Sequence, residues 1–131
     1  VHGGEQLRPN IHIDDMSESY IEVIKNSKIC NNEIFNVGDE NYSVNKLAKM
    51  VKQACPEAEL IKEEVVDQRS YKISSKKIFN KIGFKTKRSI KNAIEDLVEA
   101  FSEKKLINTF DNDEYYNIKI INKKINSLLN D

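Results

Sequence analysis

Lys and Arg together number 21 in this chain, and all but Arg8, Arg69 and Arg88 are lysine. A guanidinium offers a planar fork that grips a phosphate through two parallel hydrogen bonds, which the point charge of a lysine cannot reproduce. Arg8 lies in Gly3-Gly4-Glu5-Gln6-Leu7-Arg8-Pro9 and Arg69 in Asp67-Gln68-Arg69-Ser70-Tyr71. Both stretches read as loops flanked by turn formers, where ligand contacts concentrate. Arg8 and Arg69 are therefore candidate anion contacts, weighed against ordinary surface ion pairs. Arg88, just before a helix cap, is expected to be solvated.

Other chemistry is sparse. Cys30 and Cys55 form no CxxC pair, and His2 and His12 lack a paired ligand spacing, so no metal site is expected and the thiols read as free. Acidic and basic residues balance at 21 each, which removes the basic excess that nucleic acid or an anionic membrane would call for. No run of about 18 apolar residues and no signal-like N-terminus occurs, so a cytoplasmic location without a membrane span is expected. A chain of 131 residues suits one domain. The opening Val1-His2-Gly3-Gly4 reads as a loop cut from something longer.

The elements that would position the arginines follow from periodicity. Residues 10–13 form a short β-like run, and Asp15 is expected to cap a helix through Ser27, with Glu18 completing a capping box. Residues 33–37 read as a strand closed by Gly38. Ser43 should cap a helix whose Val44, Leu47, Ala48 and Val51 share a face, ending before Pro56. A further strand is expected over 59–66. Ser74 should cap a short helix with Ile78, Phe79 and Ile82 inward, stopped by Gly83. Behind Ser89, the stripe Ile90, Ala93, Ile94, Leu97, Val98 and Phe101 predicts an amphipathic helix. The polar stretch 108–114 breaks it before a tail, with helical spacing of Ile118, Ile121, Ile125, Leu128 and Leu129 or an extended start.

Several segments also carry a likeness. Residues 3–15, from Gly3-Gly4-Glu5-Gln6-Leu7-Arg8 to Ile11-His12-Ile13-Asp14-Asp15, resemble the "GGxQxRxxIHVxD" stretch of extended short-chain dehydrogenases/reductases, the nucleotide-sugar epimerases and dehydratases. Asn36-Val37-Gly38 with Ser43 and Leu47 is similar to that family's "NVGxxxxxSxxxLA". Residues 67–84 resemble "DxRxYxxSxxKIxxxLGF", and the Ile90 to Phe101 helix resembles the closing helix. Tyr115-Tyr116-Asn117-Ile118 is similar to a short tail of some members.

The resemblance implies an α/β architecture: a mostly helical C-terminal substrate-binding portion with a few short strands, lacking the Rossmann half. On this reading residues 1–107 are the substrate-binding portion, 33–55 a strand-helix unit that would join the missing sheet, and 108–131 a tail. It also implies that Arg8 and Arg69 line the site for a nucleotide-diphosphate sugar. NAD or NADP would be bound by the intact parent, which would dimerise as many relatives do. This chain alone should hold neither cofactor, since no GxxGxxG or GxGxxG occurs. Nor is a catalytic residue expected here. Tyr42-Ser43-Val44-Asn45-Lys46 has the family's Tyr-x-x-x-Lys spacing but falls at a strand-to-helix turn, so Tyr42 is read as a turn residue and Ser43 as a cap. Competing readings are a non-catalytic module binding a nucleotide sugar or a protein partner, and a helical interaction protein.

Overall fold

The computed structural model describes residues 1–64 and 69–129. The chain divides into two compact units, Val1–Val98 and Glu99–Asp131. In order, the first unit holds β1 (Leu7–Pro9), α1 (Ile13–Lys25), α2 (Ser27–Cys30), β2 (Asn41–Ser43), α3 (Val44–Ala54), α4 (Lys76–Ile82) and most of α5 (Ile90–Ser102). It is a mostly helical α/β arrangement with one two-stranded antiparallel sheet among the described residues. The register pairs Leu7 with Ser43, Arg8 with Tyr42 and Pro9 with Asn41.

Helix boundaries follow local chemistry. Ser43 Oγ accepts from the Lys46 N–H at 3.2 Å and starts α3, and Cys55 closes α3 one residue before Pro56. Gly83 ends α4 in the left-handed region at φ 73°, where a Cβ is costly. Ser89 and Asn92 cap α5 reciprocally: the Asn92 N–H donates to Ser89 Oγ at 3.2 Å and the Ser89 N–H to Asn92 Oδ1 at 3.0 Å.

Three expectations are corrected and a fourth is refined. The extended run lies at Leu7–Pro9 rather than 10–13, because Ile13 already belongs to α1. The cap of α1 is His12, whose Nδ1 accepts from the Asp14 N–H at 3.2 Å, while Asp15 sits inside the first turn. At α4 the capping position is Ser75, whose hydroxyl is occupied by both backbone groups of Gly38, while the side-chain bond to the first helical N–H, that of Lys76, does come from Ser74, at 3.4 Å. Residues 33–37 find no ladder partner among the described residues. An apolar run can favour an extended backbone, but a strand also needs a neighbour to pair with. From the 59–66 stretch, Glu63 makes an isolated parallel bridge to His2; Val65 and Val66 lie outside the described residues.

Among the described residues the buried hydrophobics are Cys30, Ile78, Phe84 and Ile90. Helix α1 is turned against the usual sense, with Asp15 and Ser19 buried and Ile13, Tyr20 and Ile24 exposed. Both cysteines are free thiols. The second unit contains a 3-10 turn at Asp113–Tyr115 and α6 (Asn117–Leu129), which is helical from its start rather than extended. Lys119 and Lys123 reach the Asp113 carboxylate from the first two turns of α6. None of the helices among the described residues is long and apolar enough to cross a membrane.

Candidate functional site

β1 is too short to persist alone, and further backbone and side-chain bonds extend its ladder. Beyond the paired residues, the Asn10 N–H donates to Glu40 O and the Asp39 N–H to Asn10 O, while the Val44 N–H reaches Gln6 O. Residues 69–71 add a third line of contacts to β1: the Leu7 N–H donates to Ser70 Oγ at 2.9 Å, and the Tyr71 N–H to Leu7 O at 3.3 Å. Asn41 substitutes for a strand further along, since its amide exchanges two bonds with Ile73, donating to the carbonyl at 3.0 Å and accepting from the N–H at 2.9 Å.

This brings together two loops that lie far apart in sequence. The Arg8 guanidinium donates through Nη1 to its neighbour's carbonyl, Leu7 O, at 2.9 Å, and to Arg69 O. Its carbon lies 5.0 Å from the centroid of the Tyr71 ring. The contacts that the described residues offer this guanidinium are two carbonyls and an aromatic face, with no carboxylate among them. Arg69 is exposed, and its backbone carbonyl is one of the two that hold Arg8. Asp67, expected to steady the Arg69 side chain, lies outside the described residues.

The Gly3-Gly4 loop is held beside this edge by Gln6, which donates to His2 O at 2.7 Å and accepts from the Gly4 N–H at 2.6 Å. Gly4 has φ 153°, a conformation that L side chains rarely adopt, and a Cβ there would also push aside the Asn45 side-chain amide at the start of α3. An open depression of about 760 Å³ follows, lined by Gly3, Gly4, Gln6 and Ser70 together with Lys62 and three glutamates, Glu5, Glu63 and Glu64. Three carboxylates against one lysine make it a poor seat for a phosphate and a fair one for hydroxyls.

Tyr42 lies in β2 directly opposite Arg8, and Ser43 caps α3. The Tyr-x-x-x-Lys spacing thus bridges the end of a strand and the first turn of a helix. No group of three metal-ligating side chains occurs among the described residues.

Arg88 departs from expectation. It pairs with Asp14, Asp15 and Glu18 across from α1, at 3.4, 2.7 and 3.1 Å. Asp15 also accepts from the backbone N–H groups of Lys87 at 3.0 Å and Arg88 at 2.9 Å. Burial pushes the Asp15 carboxyl up, but the Arg88 backbone and side-chain donors and the Lys87 N–H outweigh it and hold the group below its ordinary value. Expected to be solvated, Arg88 instead has a structural role: a fork serves a buried carboxylate as well as a phosphate.

Neither a family model nor a curated protein matches the chain. Solved structures do. The chain superposes with a TM-score of 0.67 and 24% identity on UDP-glucose 4-epimerase with UDP-glucose from Thermotoga maritima, covering 81% of this chain and 36% of that one. It matches RMD from Pseudomonas aeruginosa complexed with NADPH at TM-score 0.66 and 15% identity, over 79% and 35% of the two chains. It matches dTDP-glucose 4,6-dehydratase from Bacillus anthracis in complex with NAD at 0.65 and 16%, over 77% and 33%. The chain spans about a third of the length of these structures. Its fold is that of one portion of epimerase and dehydratase chains.

Proposed function

We propose that this chain is the substrate-binding part of an NAD(P)-dependent nucleotide-sugar epimerase or dehydratase, and that Arg8 and Arg69 hold the diphosphate. The observation that carries the reading is the Arg8 guanidinium, fixed by two carbonyls and a ring and facing no carboxylate of the described residues. A charge so placed favours an anionic ligand, and its planar fork favours a phosphate. The portion-wise likeness to an epimerase that was solved with UDP-glucose supports the same ligand class.

The dinucleotide belongs to another part of the parent. A pyrophosphate is cradled by glycines at the start of a helix that follows a strand, and the glycines here, Gly3, Gly4, Gly38 and Gly83, make no such turn. The residues of this chain therefore do not fit the cofactor. The run 33–37, without a ladder partner among the described residues, is where the rest of the sheet would join: Phe35 and Val37 face Met16 and Val23 of α1, and Ile34 on the other side is 84% exposed. The parent's location on this reading is cytoplasmic.

Titration of the chain with UDP-glucose, dTDP-glucose and glucose, followed by amide and arginine side-chain NMR, tests the proposal. Weak binding of the two nucleotide sugars with shifts at Arg8 and Arg69, and none with glucose, is expected. Unmoved arginine resonances at millimolar ligand would refute the diphosphate clamp. The coding sequence upstream of Val1 separates enzyme from non-catalytic module, since only the former requires a glycine-rich βαβ unit and a second Tyr-x-x-x-Lys.

A further inference from the structure

Resting on the diphosphate reading, we infer that Tyr71 is a positioning residue, its ring holding the Arg8 guanidinium flat so that the edge not tied to carbonyls is presented to a phosphate. The arrangement centres on one carbonyl. Leu7 O accepts both from Arg8 Nη1 at 2.9 Å and from the Tyr71 N–H at 3.3 Å, so the ring and the guanidinium hang from the same peptide. Arg69 O supplies a second anchor to the same Nη1. Two carbonyls fix one end of the fork, and the ring, 5.0 Å from the guanidinium carbon, fixes its plane. With Nη1 committed and no further contact to the guanidinium among the described residues, Nε and Nη2 form the edge left for a two-pronged contact.

The gain is pre-organisation. A free arginine side chain loses rotamer freedom when it meets a ligand, and one already stacked has lost it beforehand. Lys25 and Lys91, paired at the surface with Glu22 and Glu95, show the ordinary alternative of exposed ion pairs along a helix. Tyr71 is itself 55% exposed, too open to be explained as core. Its ring covers a charge instead.

The test separates ring, hydroxyl and fold. In the ligand-free chain, the Arg8 Nε–H resonance should be displaced by the ring current in wild type and Y71F and return to its free position in Y71L. UDP-glucose affinity should fall about three- to fivefold in Y71L, stay within twofold in Y71F, and fall no further when Y71L is added to R8K. Wild-type affinity in Y71L, or a full additional loss in the R8K background, overturns the inference. If the wild-type chain binds no UDP-glucose, the diphosphate reading fails and the inference with it; an Nε–H resonance unmoved by Y71L refutes the stacking alone and leaves that reading intact. Should Y71L melt below the assay temperature, Y71T at the same half-exposed position replaces it.

Discussion

The carboxylate of Asp15 and the guanidinium of Arg88, separated by 73 residues in sequence, lie 2.7 Å apart with the carboxylate wholly buried. A buried charge is tolerated only when its hydrogen bonds are filled, and Asp15 fills them with two backbone N–H groups and the fork. This pair ties the start of α1 to the segment that leads into α5.

Removing either member should therefore cost stability and leave ligand binding alone. D15N is expected to destabilise by about 3 kcal/mol, and R88K, which keeps charge but loses the fork, by about 1–2 kcal/mol. Urea unfolding measures both. A wild-type midpoint for R88K would reduce the cluster to a surface pair.

A second acidic anchor sets a pH dependence. Glu33 lies 2.8 Å from both Lys77 and Lys81, and its hydrogen bonds to them lower its pKa from 4.5 to about 2. A carboxyl depressed on folding contributes stability that is complete above its unfolded pKa and lost as pH falls through the folded one. The contribution should thus fade between about pH 4.5 and 2. Acid unfolding of E33Q, compared with wild type, should show a shallower loss across that window; parallel curves would exclude the effect.

Cofactor binding gives a negative prediction. Neither NAD nor NADPH should bind the chain appreciably by titration calorimetry, for want of a glycine-rich turn. A low micromolar dissociation constant, about −8 kcal/mol, would contradict the assignment of the cofactor to another part of the parent.

Arg69 provides the most direct comparison for the site. R69K leaves the backbone carbonyl that holds Arg8 in place and removes only the side-chain fork. It is expected to weaken UDP-glucose binding by roughly 1–2 kcal/mol, whereas R88K should not alter it. Equal affinities for the two variants would discard the clamp.

What could be read in advance was whatever the chemistry makes local. Ser43, Ser89 and Gly83 announced helix ends because a hydroxyl cap or a left-handed residue acts within three positions. Arg8 and Arg69 were legible as a pair only through the family likeness, since the contact joining them runs through a backbone carbonyl that leaves no trace in residue type. The Asp15 cap was misplaced because an aspartate before an apolar run looks the same whether it serves the N–H groups of its own helix or those at Lys87 and Arg88. Tyr71 was legible as the tyrosine of the DxRxY likeness, but residue type does not tell that its ring lies over Arg8. The strand at 33–37 needs a neighbour that the described residues do not provide.

The distant partners of α1 also govern when it can form during synthesis. Its cap residue, His12, accepts from the Asp14 N–H through Nδ1, which leaves Nε2 to donate to Asp96 at 2.9 Å, 84 residues downstream. Translation at about 5–20 residues per second puts several seconds between the two. Throughout that interval Asp15 has no guanidinium to accompany it inward, so the face of α1 that carries Asp15 and Ser19 stays open on the nascent chain. Closure waits for the ribosome to release Arg88 and then Asp96. A message truncated anywhere before Arg88 yields a polypeptide in which Asp15 has neither the guanidinium nor the Arg88 N–H to meet it, and quality control would meet it as a destabilised protein.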